Sequence, residues 1–330
     1  MGLKAYLTRR IVYSIILIWA VITVNFLIFA MMPGDPMQQY VSSLKGNMDA
    51  KRYEKLRHDL GLDKPLHERY FISLVNMLTF NLGEDKVSGD PVFNSMKTPL
   101  LNTLILMGFA EVISIIVGIL LGVVAAYKRG GILDTSLTTG SLVTYSVPIF
   151  FVGWLIILFF AVQLDWFPSG MTQPPGWIRN PPPDMLAYIV GRLRYIALPA
   201  LTLFLFTVGG WILFTRACIL ETINEDYVLT ARAKGLKERT VLYKHVLKNA
   251  SLPIITNVAL AFAFLISGAI ITETLFSYNG MGLLTWRAIY PVPNLTLLQA
   301  IFYISALLVI VANFIADLLY GVIDPRVRYE

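Results

Sequence analysis

The chain is poor in the residues that carry most enzyme chemistry. Its 330 residues include one cysteine, Cys218, and three histidines, His58, His67 and His245. A single cysteine excludes an intrachain disulfide and a thiolate metal cluster. Three histidines leave little for a metal site or a catalytic triad. Charge is also scarce, at 15% Asp, Glu, Lys and Arg, against roughly 25% in soluble domains. That is too little to coat an ordinary soluble enzyme of this length, and the chain is far too apolar for intrinsic disorder. No G-x-x-x-x-G-K-[ST] loop, H-E-x-x-H or G-x-S-x-G motif occurs. ATP hydrolysis on a phosphate loop and the common membrane-protease chemistries are therefore not encoded.

What is present is apolar: 56% of the chain, with a mean hydropathy of +0.65. The charges are pushed apart by long runs. None lies between Arg10 and Asp35, Asp134 and Asp165, Arg194 and Arg216, Lys248 and Glu273, or Arg287 and Asp317. Between Lys97 and Lys128 only Glu111 intervenes. Each run reaches the roughly 20 residues that span a hydrocarbon core at about 1.5 Å per residue. The expectation is an all-α integral membrane protein with six transmembrane helices, near 11–31, 100–126, 136–164, 196–217, 252–273 and 297–320. The first run is too long for a signal peptide, and it ends in Met31-Met-Pro-Gly-Asp-Pro36 without a small-x-small cleavage site.

Six spans put both termini on one side. That side would hold Lys4, Arg9, Arg10, Lys128, Arg129, the basic stretch from Arg216 to Lys248, Arg326 and Arg328. The opposite short loops hold Arg179, Arg192, Arg194 and Arg287. By the positive-inside rule the termini are cytoplasmic. The formal charge of +6 is thus a topology signal, not a nucleic-acid footprint.

Two connections face outward in this scheme. Residues 33–98 contain two helix-like stretches. One starts near Asp49 with Tyr53, Leu56 and Leu60 on one face and stops at Gly61. The other follows Pro65 and carries Tyr70, Phe71, Leu74, Val75 and Leu78. Together they read as a cap on the outer surface, or as a spacer. Residues 165–195 are proline-rich, and Trp166 and Trp177 suit an interfacial belt.

The connection 218–251 is polar and basic. Thr222 and Glu225 have capping-box spacing, and Gly235 suits a left-handed stop. A short exposed helix over 223–234 is expected. Glu225 and Asp226 sit at the dipole's positive end, and Arg232 and Lys234 at its negative end. Tyr227, Ala231 and Lys234 would share a face, and Ala231 and Ala233 would allow close approach to a partner groove. A helix lying in the headgroups is the other reading.

Here the sequence resembles a family. Glu225-Asp-Tyr-Val-Leu-Thr-Ala-Arg-Ala-Lys-Gly235, followed by Tyr243-Lys-His-Val-Leu-Lys-Asn249-Ala-Ser-Leu-Pro253, looks like the EAA-type loop of ABC importer permeases. Leu229 and Thr230 replace the first two residues of the generic loop, whereas Ala231 and Gly235 keep its spacing. Met32-Pro-Gly-Asp-Pro36, Leu60-Gly-Leu-Asp-Lys-Pro65, Asn81-Leu-Gly83, Ser146-Val-Pro148 and Trp166-Phe-Pro168 extend the likeness. Glu273-Thr-Leu-Phe-Ser-Tyr-Asn-Gly-Met-Gly282 and Asp324-Pro-Arg-Val-Arg328 complete it. The chain resembles the B-type subunit of the dipeptide/oligopeptide importers.

The resemblance implies a type I, MetI-like permease fold with a cap after the first helix. Its parts would be 1–32, the cap 33–98, a core 99–323 that includes the loop 218–251, and a tail 324–330. It also implies a homologous second permease, two ABC ATPase subunits, an extracytoplasmic substrate-binding protein, and a peptide or other small solute as cargo. No cofactor is implied. The ATPase-coupling residues would be Glu225, Asp226, Tyr227, Ala231, Arg232, Ala233, Lys234 and Gly235. Glu111, inside the second span, either faces the translocation path or hydrogen-bonds a neighbouring helix. Glu273 and Asp317 read as boundary residues. Gly118 and Gly122 form a small-xxx-small pair that permits close helix packing. The remaining rival is an ion-coupled secondary transporter, which usually needs internal repeats and paired intramembrane charges.

Overall fold

The computed structural model describes residues 3–32, 54, 63–85, 89–265, 269–291 and 293–323. Among these, regular structure is helical, apart from one bridge between Glu84 and Pro91. An apolar chain in lipid must satisfy its own backbone, and helices do so within one segment. Four helices are long and apolar enough to cross a membrane: α1 (Leu3–Ala30), α3 (Val92–Tyr127), α6 (Met185–Ile223) and α11 (Leu295–Ile323). Between α1 and α3 lies α2 (Leu66–Leu78), which follows Pro65 as expected.

The expected spans 11–31, 100–126 and 297–320 are met by α1, α3 and α11 with shifted limits, and the other three depart further. The expected span 136–164 is two helices, α4 (Ile132–Ser146) and α5 (Ile149–Ile156, running on as a π-helix to Gln163), bent by 98°. The bend falls at Val147-Pro148, where the ring of Pro148 denies residue 147 the helical conformation. Val147 is extended and Pro148 caps α5. A turn Glu238–Thr240 and a π-helical stretch Val241–Leu247 lead into α8 (Lys248–Phe264). The expected span 252–273 includes residues 266–268, outside the described residues; after them Ala269 is non-helical and α9 (Ile270–Leu275) begins. The fourth span starts earlier, at Met185, because Asp184 caps it: its carboxylate accepts from the Ala187 amide at 2.7 Å. Two short helices complete the order, α7 (Asp226–Ala233) and α10 (Met281–Ile289).

The tightest contact is α3 on α6. Gly118 and Gly122 make it possible: a Cβ at Gly118 would lie 2.2 Å from Cβ of Trp211, and one at Gly122 2.6 Å from Cβ of Thr215. The small-xxx-small pair therefore packs on α6. Helix α1 lies along α11, where Asn25 donates to the Gln299 carbonyl at 3.0 Å and Arg10 pairs with Asp317 at 2.6 Å. Helix α2 rests on both. The Tyr70 and Thr23 hydroxyls hydrogen-bond at 2.8 Å, and Tyr303 donates to the Met77 carbonyl at 3.0 Å. Phe71, Val75 and Leu78 of α2 remain exposed. The first expected helix of 33–98, near Asp49 to Gly61, lies outside the described residues.

Candidate functional site

At one end of the bundle, five segments converge on a single apolar cluster. Ala126 comes from α3, Cys218 and Ile219 from α6, Val228 and Ala231 from α7, Val241, Leu242 and Val246 from the π-helical stretch, and Ala250 and Ile254 from α8. The π geometry spaces Val241 and Val246 five residues apart while keeping both buried. Helix α7 is thus fixed by its inner face to the chain's own body, and its other residues stand out from that body.

Helix α7 starts later than its sequence signals suggest. Thr222 still belongs to α6 and donates its hydroxyl to the Cys218 carbonyl at 2.8 Å. No capping box forms. Glu225 is the N-cap residue, in extended conformation and without a side-chain cap bond. The stop is the expected one: Gly235 has φ +75°, which a β-carbon would strain. Beyond it the Arg232 guanidinium meets Glu238 at 2.6 Å, and this bond holds the Glu238 carboxyl below its ordinary value.

The expected docking face is turned. Ala231 is 4% exposed and packs into the apolar cluster, so its small side chain faces this chain. At 100° per residue, the direction opposite Val228 and Ala231 carries Asp226, Leu229, Thr230 and Ala233, all exposed. Leu229 is 67% exposed. Tyr227, Arg232 and Lys234 flank that face and are also exposed, as are Glu225 and Gly235. Leu229 and Thr230, which depart from the generic loop, are not among the coupling residues expected from the sequence. The i, i+3, i+4 and i+7 spacing of Asp226, Leu229, Thr230 and Ala233 was the available signal.

Inside the bundle, Glu111 accepts a hydrogen bond from the Trp211 indole of α6 at 2.8 Å, and Thr207 donates to the Ser114 hydroxyl at 2.7 Å. Glu111 is half-buried. Of the two readings of Glu111, the helix-to-helix bond is the one the structure displays.

The opposite end holds a buried polar knot. Glu273 of α9 is fully buried. One carboxylate oxygen accepts from the Thr103 hydroxyl at 2.7 Å. The other accepts from the amides of Gly282 and Leu283 at 2.7 and 3.1 Å. Those amides open α10, where the helix dipole favours negative charge. Gly280 has no room for a side chain, since a Cβ there would lie 2.4 Å from the Glu273 carboxylate. Asn102 extends the knot, donating to the Asn279 carbonyl at 2.7 Å and accepting from Arg192 at 2.6 Å. Glu273 is therefore more than a boundary residue: it caps the N-terminus of the next helix, through amides nine and ten residues further on. Its third donor, Thr103, comes from α3, which no local pattern around Glu273 reveals.

Comparison with known proteins agrees with this architecture. Residues 118–329 match the model of the binding-protein-dependent transport system inner membrane component, and residues 3–91 match the N-terminal model for such membrane components. The oligopeptide transport system permease protein AppB of Bacillus subtilis is 34% identical over 333 residues, covering 99% of this chain and 100% of that protein. The di/tripeptide transport system permease protein DppB of Pseudomonas aeruginosa is 34% identical over 340 residues, covering 99% of each. A solved structure of the MetNI methionine ABC transporter shares the fold, with a TM-score of 0.55 at 16% identity over 71% of this chain and 98% of that one. The chain belongs to the family of inner membrane components of binding-protein-dependent transport systems, as a membrane-spanning permease subunit of an ABC importer and not as an enzyme.

Proposed function

We propose that the chain forms half of an import path for peptides and takes up the energy of ATP through the outward face of α7. The observation that carries the reading is the division of α7 into two faces. Val228 and Ala231 are buried in the chain's own cluster, while Leu229 stands 67% exposed on the opposite side. A helix fixed on one side and apolar on the other suits the groove of a second protein. In this reading the groove belongs to an ABC ATPase, and Asp226, Thr230 and Ala233 surround the Leu229 anchor. Glu225, Tyr227, Arg232, Lys234 and Gly235 frame it. The Lys and Arg asymmetry of the short loops places this end, and both termini, in the cytoplasm.

A homologous second permease completes the path, and an extracytoplasmic binding protein delivers cargo to the knot end. Peptide is the cargo class because the relatives AppB and DppB carry oligopeptide and di/tripeptide in their names. A transporter must visit two states, and an input shifts them only by binding one state better than the other. Glu111 is engaged with an indole, not with a paired cation, within the bundle. The exposed α7 face offers such an input to a nucleotide-driven partner.

The test is uptake into vesicles that hold both permeases, both ATPases and the binding protein. A labelled oligopeptide is supplied on the binding-protein side. The reading predicts uptake that requires ATP on the α7 side and survives an ionophore. Uptake that persists without ATP and collapses with an ionophore would contradict it.

A further inference from the structure

A part-buried ion pair, Asp134 with Arg216, joins α4 to α6. Asp134, in the first turn of α4, is 4% exposed. Its Oδ1 accepts from Nε of Arg216 at 2.6 Å, and its Oδ2 accepts from Nη2 at 2.9 Å. Oδ2 also accepts from the Gly130 amide at 2.9 Å, and the Thr138 hydroxyl donates to Oδ1 at 3.3 Å. The carboxylate is thus saturated by a forked guanidinium, a turn amide and a hydroxyl. A two-pronged bond of this kind fixes orientation as well as distance.

The placement gives the pair its meaning. Arg216 lies on α6 about two turns before that helix ends at Ile223. From there the chain passes directly into α7. The apolar cluster at this end joins α3, α6, α7, the π-helical stretch and α8, but none of its described members comes from α4. Leu133, Leu142, Val143 and Tyr145 of α4 are exposed. Along its length α4 also touches α6 at Gly209, where a Cβ would lie 2.7 Å from the Ser141 carbonyl oxygen, and at Tyr145, whose ring stacks on Phe206 with centroids 6.4 Å apart. Those contacts bring the helices close but make no directional bond. Among the described residues, Asp134 is therefore the point at which hydrogen bonds tie α4 in register to the body that carries α7. The far end of α4 leads, through the 98° bend, into α5.

The geometry points to Asp134 and Arg216 as a positioning pair, through which displacement of the α7 body is passed to α4 and the bent α4–α5 arm. This inference rests on the reading of α7 as the point of energy input. Pulling α7 moves the inner end of α6, and the forked pair makes α4 follow without slipping or rotating. Without the fork, α6 can move while α4 lags, so ATP is consumed with less transport.

The test uses the complete reconstituted transporter and reads substrate imported per ATP hydrolysed. Asp134→Asn and Arg216→Gln should lower that ratio about tenfold, a size usual for coupling between distant sites. Asp134→Glu, which keeps the charge, should recover part of it. A merely structural role would lower the amount of assembled transporter and scale both activities together. An unchanged ratio in assembled Asp134→Asn transporter would overturn the inference.

A second measurement needs no change to the pair. Spin labels at Thr139 of α4 and Leu229 of α7 should keep their separation between nucleotide-free and nucleotide-bound transporter. A separation that changes with nucleotide would overturn the rigid link. A label at Leu229 that abolishes ATPase binding supports the α7 reading. The reference label then moves to Glu221 on α6, where an unchanged distance to Thr139 is again required. If ATPase association is indifferent to α7, the α7 reading fails, and that outcome is distinct from an unchanged coupling ratio.

Discussion

The two short helices α10 and α7 are held in opposite ways. Around α10, Glu273, Asn102 and Thr103 are buried and satisfied within the chain. They hold α10 against α3. The inward contacts of α7 are apolar, and its polar residues point outward. A buried hydrogen-bonded carboxylate fixes an element in one place, because any displacement leaves donors unpaired at high cost. An apolar inner face anchors a helix while leaving its other side free for a partner. The difference separates a helix locked by buried hydrogen bonds from one whose outer face is open to solvent.

That contrast can be broken most severely at the knot. Glu273→Ala should be the most destabilising change, since it orphans the amides of Gly282 and Leu283 and the Thr103 hydroxyl. Each buried orphan costs about 1–3 kcal/mol. Thermal unfolding of the detergent-solubilised protein checks this, and a midpoint equal to that of the native protein would refute the account of the knot. Ala231→Trp comes next. The bulk falls inside the chain's own cluster, so it should cost about 1–3 kcal/mol of stability as well as ATPase association. If stability is untouched and only association falls, Ala231 faces the partner after all.

Gly235→Val is smaller, at about 1–2 kcal/mol for a β-branched residue at positive φ. It should appear as earlier local opening of α7 by hydrogen exchange, with the rest of the bundle unaffected. The Arg232–Glu238 pair sets the lower limit. Both side chains are more than a third exposed, so solvent screening leaves it worth no more than about 0.5 kcal/mol. The lowered Glu238 carboxyl gives the sign. Its contribution is present above the ordinary carboxylate value and is lost as pH falls through the lowered one. Native protein and Glu238→Gln should therefore differ slightly in unfolding midpoint at neutral pH and converge in acid.

The long helices were legible because a membrane span leaves a direct mark, the absence of charge. Helices α1, α3, α6 and α11 lie where uncharged runs occur. The bend in the third run was not legible. Pro99, Pro199 and Pro253 lie inside helices, whereas Pro148 opens a new one. Sequence shows the ring in each case, but tertiary packing decides whether the helix is broken. The position of α7 was legible from its charges and Gly235, but its face was not. A helix of eight residues with one leucine, one valine and two alanines offers no clear periodicity, so the half-turn that separates Ala231 from Leu229 had to come from the structure. Of the donors to Glu273, Gly282 and Leu283 follow it closely in sequence, whereas Thr103 is remote for the same physical reason that it matters: it ties α9 to α3.

The central claim is that α7 is held by one face and read by the other, and Leu229→Glu tests it most directly. Leu229 is 67% exposed and lies outside the apolar cluster that anchors α7, so the variant should insert and unfold as the native protein does. Measured by co-isolation from membranes, its association with the ATPase subunits should fall roughly tenfold or more, as for loss of an anchor residue. ATPase retained at the native level by stably folded Leu229→Glu would contradict the account.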